Sequence, residues 1–335
     1  MKKEKITVRD IAKKAGVSPA TVSRVLNHKE LVNEKTIDKV EKAMTALGII
    51  LQNGVMVPPS EQPIILANIP ETDNSFYMKV LNGIQTSAKA NGFHIIFNVM
   101  PLNKANLYSF INLIKQVQAK GVILTIKLPK EQLDIISENV PIIQCCEYND
   151  KTNYPFVSID DYSAAVFATE YLIANNYNKI AMINGPLSYK YAEERQAAFL
   201  DTIHQHDISI PADWVVNLPE ISYHMAYSAA NRLLNADIKP KAFFTVSDTY
   251  AAAVIRAAKK YNLNVPNDIA VIGFDNMDFA QMTIPSLTTV NQSGFQLGYT
   301  ACELLITTIS HPNMAIHSMF LDTELIIRES TSPSI

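Results

Sequence analysis

The chain has 335 residues, of which 48% are hydrophobic and 18% charged, and its formal net charge is −3. It is long enough for a small and a large domain, since single domains typically hold ~50–250 residues. No apolar run reaches the ~18 residues that a membrane span needs, which excludes a membrane protein. The three cysteines lack disulfide or zinc spacing, and no apolar run follows the N-terminal lysines, so we expect a cytoplasmic protein without a signal peptide.

Two short helices are predicted at the N-terminus, on either side of Gly16. Thr7 followed by Asp10 is typical of a helix start, because the carboxylate can reach back to the amide of the capping residue. Gly16 supplies the positive φ of a tight turn. Ser18 can cap a second helix, and Pro19 suits its first position, where no amide partner is lost.

Two helices joined by a short glycine-containing turn are typical of a helix-turn-helix, whose second helix lies in the major groove of DNA. Val22, Val25 and Leu26 would then face inward. Arg24 would face outward, where its guanidinium matches the O6 and N7 acceptors of guanine. The alternative that stays open on spacing alone is an ordinary surface hairpin of two helices.

The charge distribution favours the DNA-binding interpretation. Residues 1–50 hold eleven Lys or Arg against six Asp or Glu, whereas residues 51–335 hold eighteen against twenty-six. A basic head on an acidic body is typical of a polyanion-binding module attached to a larger part that does not bind nucleic acid. A third helix is predicted to start near Glu34 and to end before Gly48.

The runs ITVRDIAKKAGVSPATVSRVLN at 6–27 and VNEKTIDKVEKAMTALG at 32–48 resemble the lactose-repressor/galactose-repressor (LacI/GalR) family of bacterial transcription regulators. This resemblance implies a homodimer that binds double-stranded operator DNA. It places Pro19, Ala20 and Arg24 at positions that read base edges. The positions that contact phosphates would be Thr7, Ser18, Thr21, Asn27 and Thr36.

The family pattern fails after the third helix, where a short hinge helix is expected. The chain reads IILQNGVMVPP at 49–59, in which Gly54 and two valines are poor helix formers and Pro58 stands where a leucine is expected. Between a hinge helix and a flexible linker, these propensities favour the linker.

From residue 63, short apolar runs alternate with amphipathic segments. This alternation predicts a parallel, doubly wound sheet, and it occurs twice, which implies two lobes with a cleft between them. Strands are predicted at 64–69, 93–98, 121–126, 140–145, 156–159, 179–184, 214–217, 241–246 and 269–274, and helices near Ser75, Lys104, Lys130 and Asp161.

The family resemblance implies the same architecture, because the family's body has the periplasmic-binding-protein fold. The segments IDDYSAA, AEERQAAF, VPNDIAVIGFDN and ELIIREST carry it. The expected fold is therefore a small all-α helix-turn-helix head plus an α/β body of two doubly wound parallel-sheet lobes. The expected boundaries are 1–48 for the head, 49–62 for the linker and 63–335 for the body, with lobe 1 at about 63–159 and 292–320 and lobe 2 at about 160–291 and 321–330.

Ligands of open parallel sheets lie beyond the carboxyl ends of the strands, so the residues there are candidates for a binding site. Arg195 and Asp275 occupy the family's ligand-gripping positions, and a guanidinium with a carboxylate can clamp vicinal hydroxyls. A structural ion pair between the two is the alternative. The predicted effector-binding residues are Asn74, Phe76, Tyr77, Glu147, Tyr191, Arg195, Ser247 and Asp275.

Several of these positions leave alternatives open. Glu147 could accept hydrogen bonds from a ligand or be a solvated loop carboxylate. Ser247 could bind ligand, and the neighbouring Asp248 could cap the next helix. The lone Trp214 fits the core of lobe 2 better than a ligand site. The CEY triplet at 146–148 is similar to the cytidine-repressor branch of the family, which responds to nucleosides.

No nucleotide-loop, nucleophile-elbow or metal-ligand motif is found in the sequence, so we expect neither an enzyme nor a metal or other cofactor. The sequence predicts a ligand-responsive repressor of a carbohydrate or nucleoside operon, controlled by a sugar or nucleoside. The alternative is a cytoplasmic solute-binding or sensing protein whose head binds DNA weakly or only with a partner.

Overall fold

The structure is a computed structural model that describes residues 7–27, 32–47, 50–52, 55–57, 62–70, 75–99 and 102–332. The chain divides into two compact units, Met1–Gln62 and Pro63–Ile335. Among the described helices, none is both long and apolar enough to cross a membrane.

The first unit contains three helices, α1 (Val8–Ala15), α2 (Pro19–Asn27) and α3 (Glu34–Ala46). The amide of Thr7 donates to the Asp10 carboxylate over 2.7 Å, as the predicted capping box requires. Gly16 ends α1 with φ of 67°. Ser18 Oγ accepts from the Thr21 amide over 3.1 Å and so caps α2. The apolar faces meet in one small core formed by Ile11, Ala12, Val22, Val25, Val40 and Met44.

The predicted linker contains two short strands, β1 (Ile50–Gln52) and β2 (Val55–Val57). They pair antiparallel, with Leu51 opposite Met56. The sequence favoured an irregular linker, whereas these six residues form a ladder. Isoleucine and valine favour extended backbone, and that preference accounts for the strands as well as for the lack of helix here.

The first lobe of the body is a six-stranded parallel sheet in the order β13-β7-β6-β5-β3-β4. Its strands are β3 (Ile64–Asn68), β4 (His94–Asn98), β5 (Gly121–Leu124), β6 (Ile142–Cys145), β7 (Phe156–Ile159) and β13 (Met319–Leu321). Its helices are α4 (Ser75–Ala90), α5 (Leu107–Gln116), α6 (Lys130–Ser137) and α11 (Gly294–Ser310).

The second lobe has a six-stranded sheet in the order β14-β12-β11-β10-β8-β9, parallel except for the antiparallel edge strand β14. Its strands are β8 (Ile180–Asn184), β9 (Val215–Asn217), β10 (Ala242–Thr245), β11 (Ala270–Phe274), β12 (Thr288–Asn291) and β14 (Glu324–Ile326). Its helices are α7 (Asp161–Ala174), α8 (Lys190–Gln205), α9 (Tyr223–Asn235) and α10 (Asp248–Lys260). Trp214 is buried in its core, as predicted.

The chain passes between the lobes after β7, after β12 and after β13. The second passage returns α11 to lobe 1, where it packs closely on α4. A Cβ atom at Gly83 would overlap the carbonyl oxygen of Phe295, and one at Gly298 would overlap that of Val80. The two helix backbones therefore meet at glycines, which lets α11 lie against both α4 and the sheet.

The described strands and helices confirm the predicted alternation, with two differences. The apolar run at 93–98 predicted a buried strand, but β4 lies at the sheet edge and is only partly buried. Strands β12, β13 and β14 were not predicted from periodicity. Each has only three or four residues, too short for a clear pattern of alternation.

Candidate functional site

A cavity of about 210 Å³ lies between the two lobes. Its walls are residues that follow the carboxyl ends of strands, together with the first turns of α4, α8 and α11, as expected for open parallel sheets. The lining residues with polar side chains include Tyr77, Glu147, Ser158, Asp161, Tyr189, Tyr191, Arg195, Ser247, Asp275 and Gln292.

Arg195, on the second turn of α8, is the central cation of this wall. Its Nε and Nη2 donate to Asp161 Oδ1 over 2.8 and 2.6 Å, and its Nη1 donates to the carbonyl of Val246 over 2.9 Å. The guanidinium lies 3.4 Å from the centroid of the Phe274 ring. A guanidinium has five N–H donors, so two remain for a ligand.

Asp161 is the common partner of two buried cations. Its second oxygen accepts from Lys190 Nζ over 2.6 Å, and Lys190 also contacts Glu194 over 2.9 Å. Burial raises the pKa of Asp161, but Arg195 and Lys190 outweigh it and hold that pKa below its usual value. Asp161 therefore stays ionised and fixes the direction of the Arg195 fork.

Asp275 lies at the end of β11 with φ of 103°, a conformation that non-glycine residues rarely adopt. Gln292, which follows β12, donates to its carboxylate over 2.5 Å. Burial raises the pKa of Asp275 to about 7, and the nearby charge of Arg195 opposes this shift. Arg195 is ion-paired with Asp161, so the predicted alternative of an Arg195–Asp275 ion pair is not what the structure shows.

Glu147 follows β6 in lobe 1 and reaches across to lobe 2. Its carboxylate accepts from the amides of Lys190 and Tyr191 at the start of α8, over 2.7 and 3.2 Å. The residue is 2% exposed, so the alternative of a solvated loop carboxylate is wrong. Burial raises its pKa to about 7, although the charge of Lys190 and the two amides oppose the shift.

The aromatic residues that the sequence predicts as effector-binding line the same cavity. Phe76 and Tyr77, on the first turn of α4, both line it and meet edge to face with centroids 5.5 Å apart. Tyr191 lines it with its ring 5.0 Å from the Arg195 guanidinium. Asn74 lies outside the described residues.

Ser247 lines the cavity and is also the cap of α10, since its Oγ accepts from the Thr249 amide over 3.1 Å. The suggestion that Asp248 caps this helix is wrong. Asp248 instead accepts from the Met277 amide over 2.6 Å and from the Thr289 hydroxyl over 2.5 Å.

Three buried polar residues of the described cavity wall, Ser158, Asp161 and Gln292, were missed by sequence reasoning. The sequence predicts Asp161 only as a helix start, but Asp160 caps the helix by accepting from the Ser163 amide, which leaves the Asp161 carboxylate free to face Arg195. The signal was the pair of aspartates directly after β7. Gln292 was missed because it follows β12, a strand that periodicity did not predict.

In the first unit, the predicted DNA-contacting residues of α2 and its cap are mostly exposed. Ser18, Pro19, Ala20 and Arg24 are exposed, and Thr21 is half-buried with its hydroxyl 2.8 Å from that of Ser18. Thr7 is exposed and Thr36 is half-buried. The side chain of Asn27 lies outside the described residues.

Comparison with known proteins decides the family. Residues 7–50 match the lacI family of bacterial regulatory proteins, and residues 169–331 match the periplasmic binding protein-like domain. The HTH-type transcriptional repressor CytR of Escherichia coli K12 is 30% identical over 97% of this chain and 96% of its own length. The chain belongs to the lacI family of bacterial regulatory proteins.

It is accordingly a DNA-binding transcriptional repressor that responds to a small-molecule ligand, as the sequence predicted. The ribose operon repressor of Halalkalibacterium halodurans is 29% identical over 97% of each chain. Among solved structures, the lac repressor dimer bound to operator and the anti-inducer ONPF has a TM-score of 0.74 and 25% identity, over 98% of this chain and 99% of that one.

Asp161→Asn should destabilise the protein strongly, because it leaves Arg195 and Lys190 buried without their shared anion. Breaking a buried ion pair typically costs about 3–5 kcal/mol, and we expect the free energy of unfolding in urea to fall by about 3 kcal/mol. The control is Asp213→Asn, whose ion pair with Arg232 is exposed and should contribute less than about 1 kcal/mol. Equal losses in the two variants would contradict a dominant role for Asp161.

Stability should also depend on pH through Glu147. Its pKa of about 7 in the folded protein lies above the ordinary 4.5, so the folded state binds more protons between these values. The stability that Glu147 contributes to the folded state through this extra proton binding is fully present below pH 4.5 and is lost as the pH rises through 7. Between pH 5 and 8, we expect the free energy of unfolding to fall roughly 2–3 kcal/mol more in the wild type than in Glu147→Gln. The control is Glu193→Gln, which changes an exposed carboxylate on the first turn of α8, and its pH dependence should follow that of the wild type.

Proposed function

We propose that this protein is a homodimeric repressor of a carbohydrate or nucleoside operon, and that a hydroxyl-rich effector, a sugar or a nucleoside, binds in the cavity between the lobes. The observation that carries this proposal is the arrangement of Arg195 and Asp275 in one buried wall. Arg195 keeps two N–H donors, and Asp275 offers carboxylate oxygens beside it. A donor pair next to an acceptor suits two adjacent hydroxyl groups.

The rest of the cavity supports the same class of ligand. Phe76 and Tyr77 present aromatic surface, on which the apolar face of a sugar ring or a base can pack. Tyr191, Ser247 and Glu147 add polar groups on other sides. A cavity that combines apolar and aromatic surface with convergent polar groups is typical of small-molecule sites.

Names of relatives agree with this effector class. One similar protein is a ribose operon repressor, and the lac repressor has been solved with the anti-inducer ONPF and with ONPG. The dimeric state of that lac repressor also supports a homodimer here. Two helix-turn-helix units related by two-fold symmetry would contact two half-sites, which a single unit cannot do.

Control of DNA binding would require the effector to prefer one arrangement of the lobes. Glu147 of lobe 1 holds the start of α8 in lobe 2, and Lys127 of lobe 1 contacts Glu193 of the same helix over 3.3 Å. An effector between them interacts with both lobes, so its binding energy can favour their closed arrangement.

Effector binding is tested by a thermal-shift screen of sugars and nucleosides, since a specific ligand stabilises the folded state by mass action. For the best compound, Arg195→Ala and Asp275→Asn should each weaken binding roughly 10-fold or more, the usual effect of losing a hydrogen bond to a charged group. Asp278→Asn is the control, because Asp278 is exposed and outside the cavity wall. Unchanged affinity in both cavity variants would refute the assigned site.

DNA recognition is tested with a duplex selected by the wild-type protein from random sequences. Arg24→Ala should weaken binding to this duplex roughly 10- to 100-fold by fluorescence anisotropy, and affect a random duplex less, if Arg24 reads a base edge. Lys42→Ala removes an exposed charge of α3 that pairs with Asp38, and it should change both affinities little. Equal weakening on both duplexes would show that Arg24 contacts phosphate.

A further inference from the structure

Above pH 7, where Glu147 and Asp275 are mostly ionised, the buried charges that face the cavity are unequal in sign. Glu147, Asp161 and Asp275 are all buried carboxylates of its wall, whereas Arg195 is the one cation among the described residues that line it. An excess of one charge in a buried site favours ligands of the opposite charge and disfavours ligands of the same charge, because Coulomb interactions are stronger there than in water. The wall as a whole disfavours an anion.

The cations near the cavity are, moreover, already paired. Arg195 contacts Asp161 through two nitrogens, and Lys190, behind the wall, contacts Asp161 and Glu194. Phosphate sites usually offer arginine or lysine side chains whose charge is not balanced by protein carboxylates. In the described wall, a phosphate would find only the two remaining N–H donors of Arg195, whose charge Asp161 already balances.

Three helix starts beside the cavity, those of α7, α8 and α10, have acceptors of their own. Free amides at a helix N-terminus are the other common phosphate-binding groups. Here Asp160 accepts from the Ser163 amide of α7, and Ser247 accepts from the Thr249 amide of α10. The amides that begin α8 donate to Glu147, which lines the cavity. A carboxylate of the protein therefore occupies the position at α8 that a ligand phosphate could otherwise take.

We propose that the cavity accepts its effector only in the uncharged form, and that Glu147, bound to the first amides of α8, is the residue that excludes the phosphorylated form. This inference rests on the proposed sugar or nucleoside effector. A phosphate near α8 would either displace Glu147 or lie beside it, and close like charges are strongly unfavourable. We expect the phosphorylated form to bind at least roughly 100-fold more weakly.

The role of Glu147 is tested without knowing the effector. Thermal unfolding of the wild type, Glu147→Ala and Glu193→Ala is measured at pH 8 with inorganic phosphate, and with sodium chloride at equal ionic strength. Phosphate should raise the melting temperature of Glu147→Ala by roughly 2–4 °C above the chloride value. The rise should be clearly smaller for the wild type and for Glu193→Ala, in which phosphate acts only through its general stabilising salt effect. Glu193→Ala removes an exposed carboxylate on the first turn of α8. An equal rise in the wild type, or no rise in Glu147→Ala, would overturn the proposal.

Exclusion of the phosphorylated form is tested by calorimetric titration of the wild type with matched pairs. Suitable pairs are ribose and ribose 5-phosphate, glucose and glucose 6-phosphate, and cytidine and cytidine 5′-monophosphate. Equal or tighter binding of a phosphorylated member would overturn the proposal even if Glu147→Ala does not fold. If no member of any pair binds, the proposed effector class fails, while the phosphate experiment still decides the role of Glu147.

Discussion

The candidate site depends on one buried carboxylate, that of Asp161. It holds Arg195 through one oxygen and Lys190 through the other, so two turns of α8 are tied to the first residue of α7. Burying three charges is costly, and replacing them by apolar groups would often be neutral or better for stability. What the arrangement provides is a fixed orientation: the guanidinium is held by Asp161 and by the Phe274 ring at the wall of the cavity.

Contacts between the lobes lie on more than one side of the cavity. Glu147 meets α8 on one side, while Lys79 of α4 donates to the Asn276 carbonyl and contacts Asp278, both over 3.1 Å. Gln292, on the passage from lobe 2 to lobe 1, binds Asp275. The cavity wall is thus continuous with the groups that connect the lobes. A ligand that shifts Asp275 or Glu147 must change those connections, and this is the physical basis for coupling occupancy to the arrangement of the lobes.

Much of the fold could be predicted from the sequence because its signals are local. The capping residues Thr7 and Ser18 and the glycine turn between them define the first helices, and long apolar runs define the central strands. The site was predicted in part for the same reason, since Arg195, Ser247 and Asp275 follow or face strand ends. The sequence could not predict which buried charged side chains pair with one another. Whether Arg195 pairs with Asp275 or Asp161 depends on distances across three segments, and the burial of Glu147 depends on how closely the lobes approach.

The burial of Trp214 in lobe 2 has a spectroscopic consequence. It is the lone tryptophan, and residues 1–62 contain no phenylalanine or tyrosine either, the first aromatic residue being Phe76. Every near-ultraviolet signal of the chain therefore originates in the body, and the head is silent at those wavelengths. Intrinsic fluorescence follows the body alone, while far-ultraviolet dichroism follows the helices of both units. Comparing intrinsic fluorescence with far-ultraviolet dichroism during heating separates melting of the head from melting of the body in a single unlabelled sample.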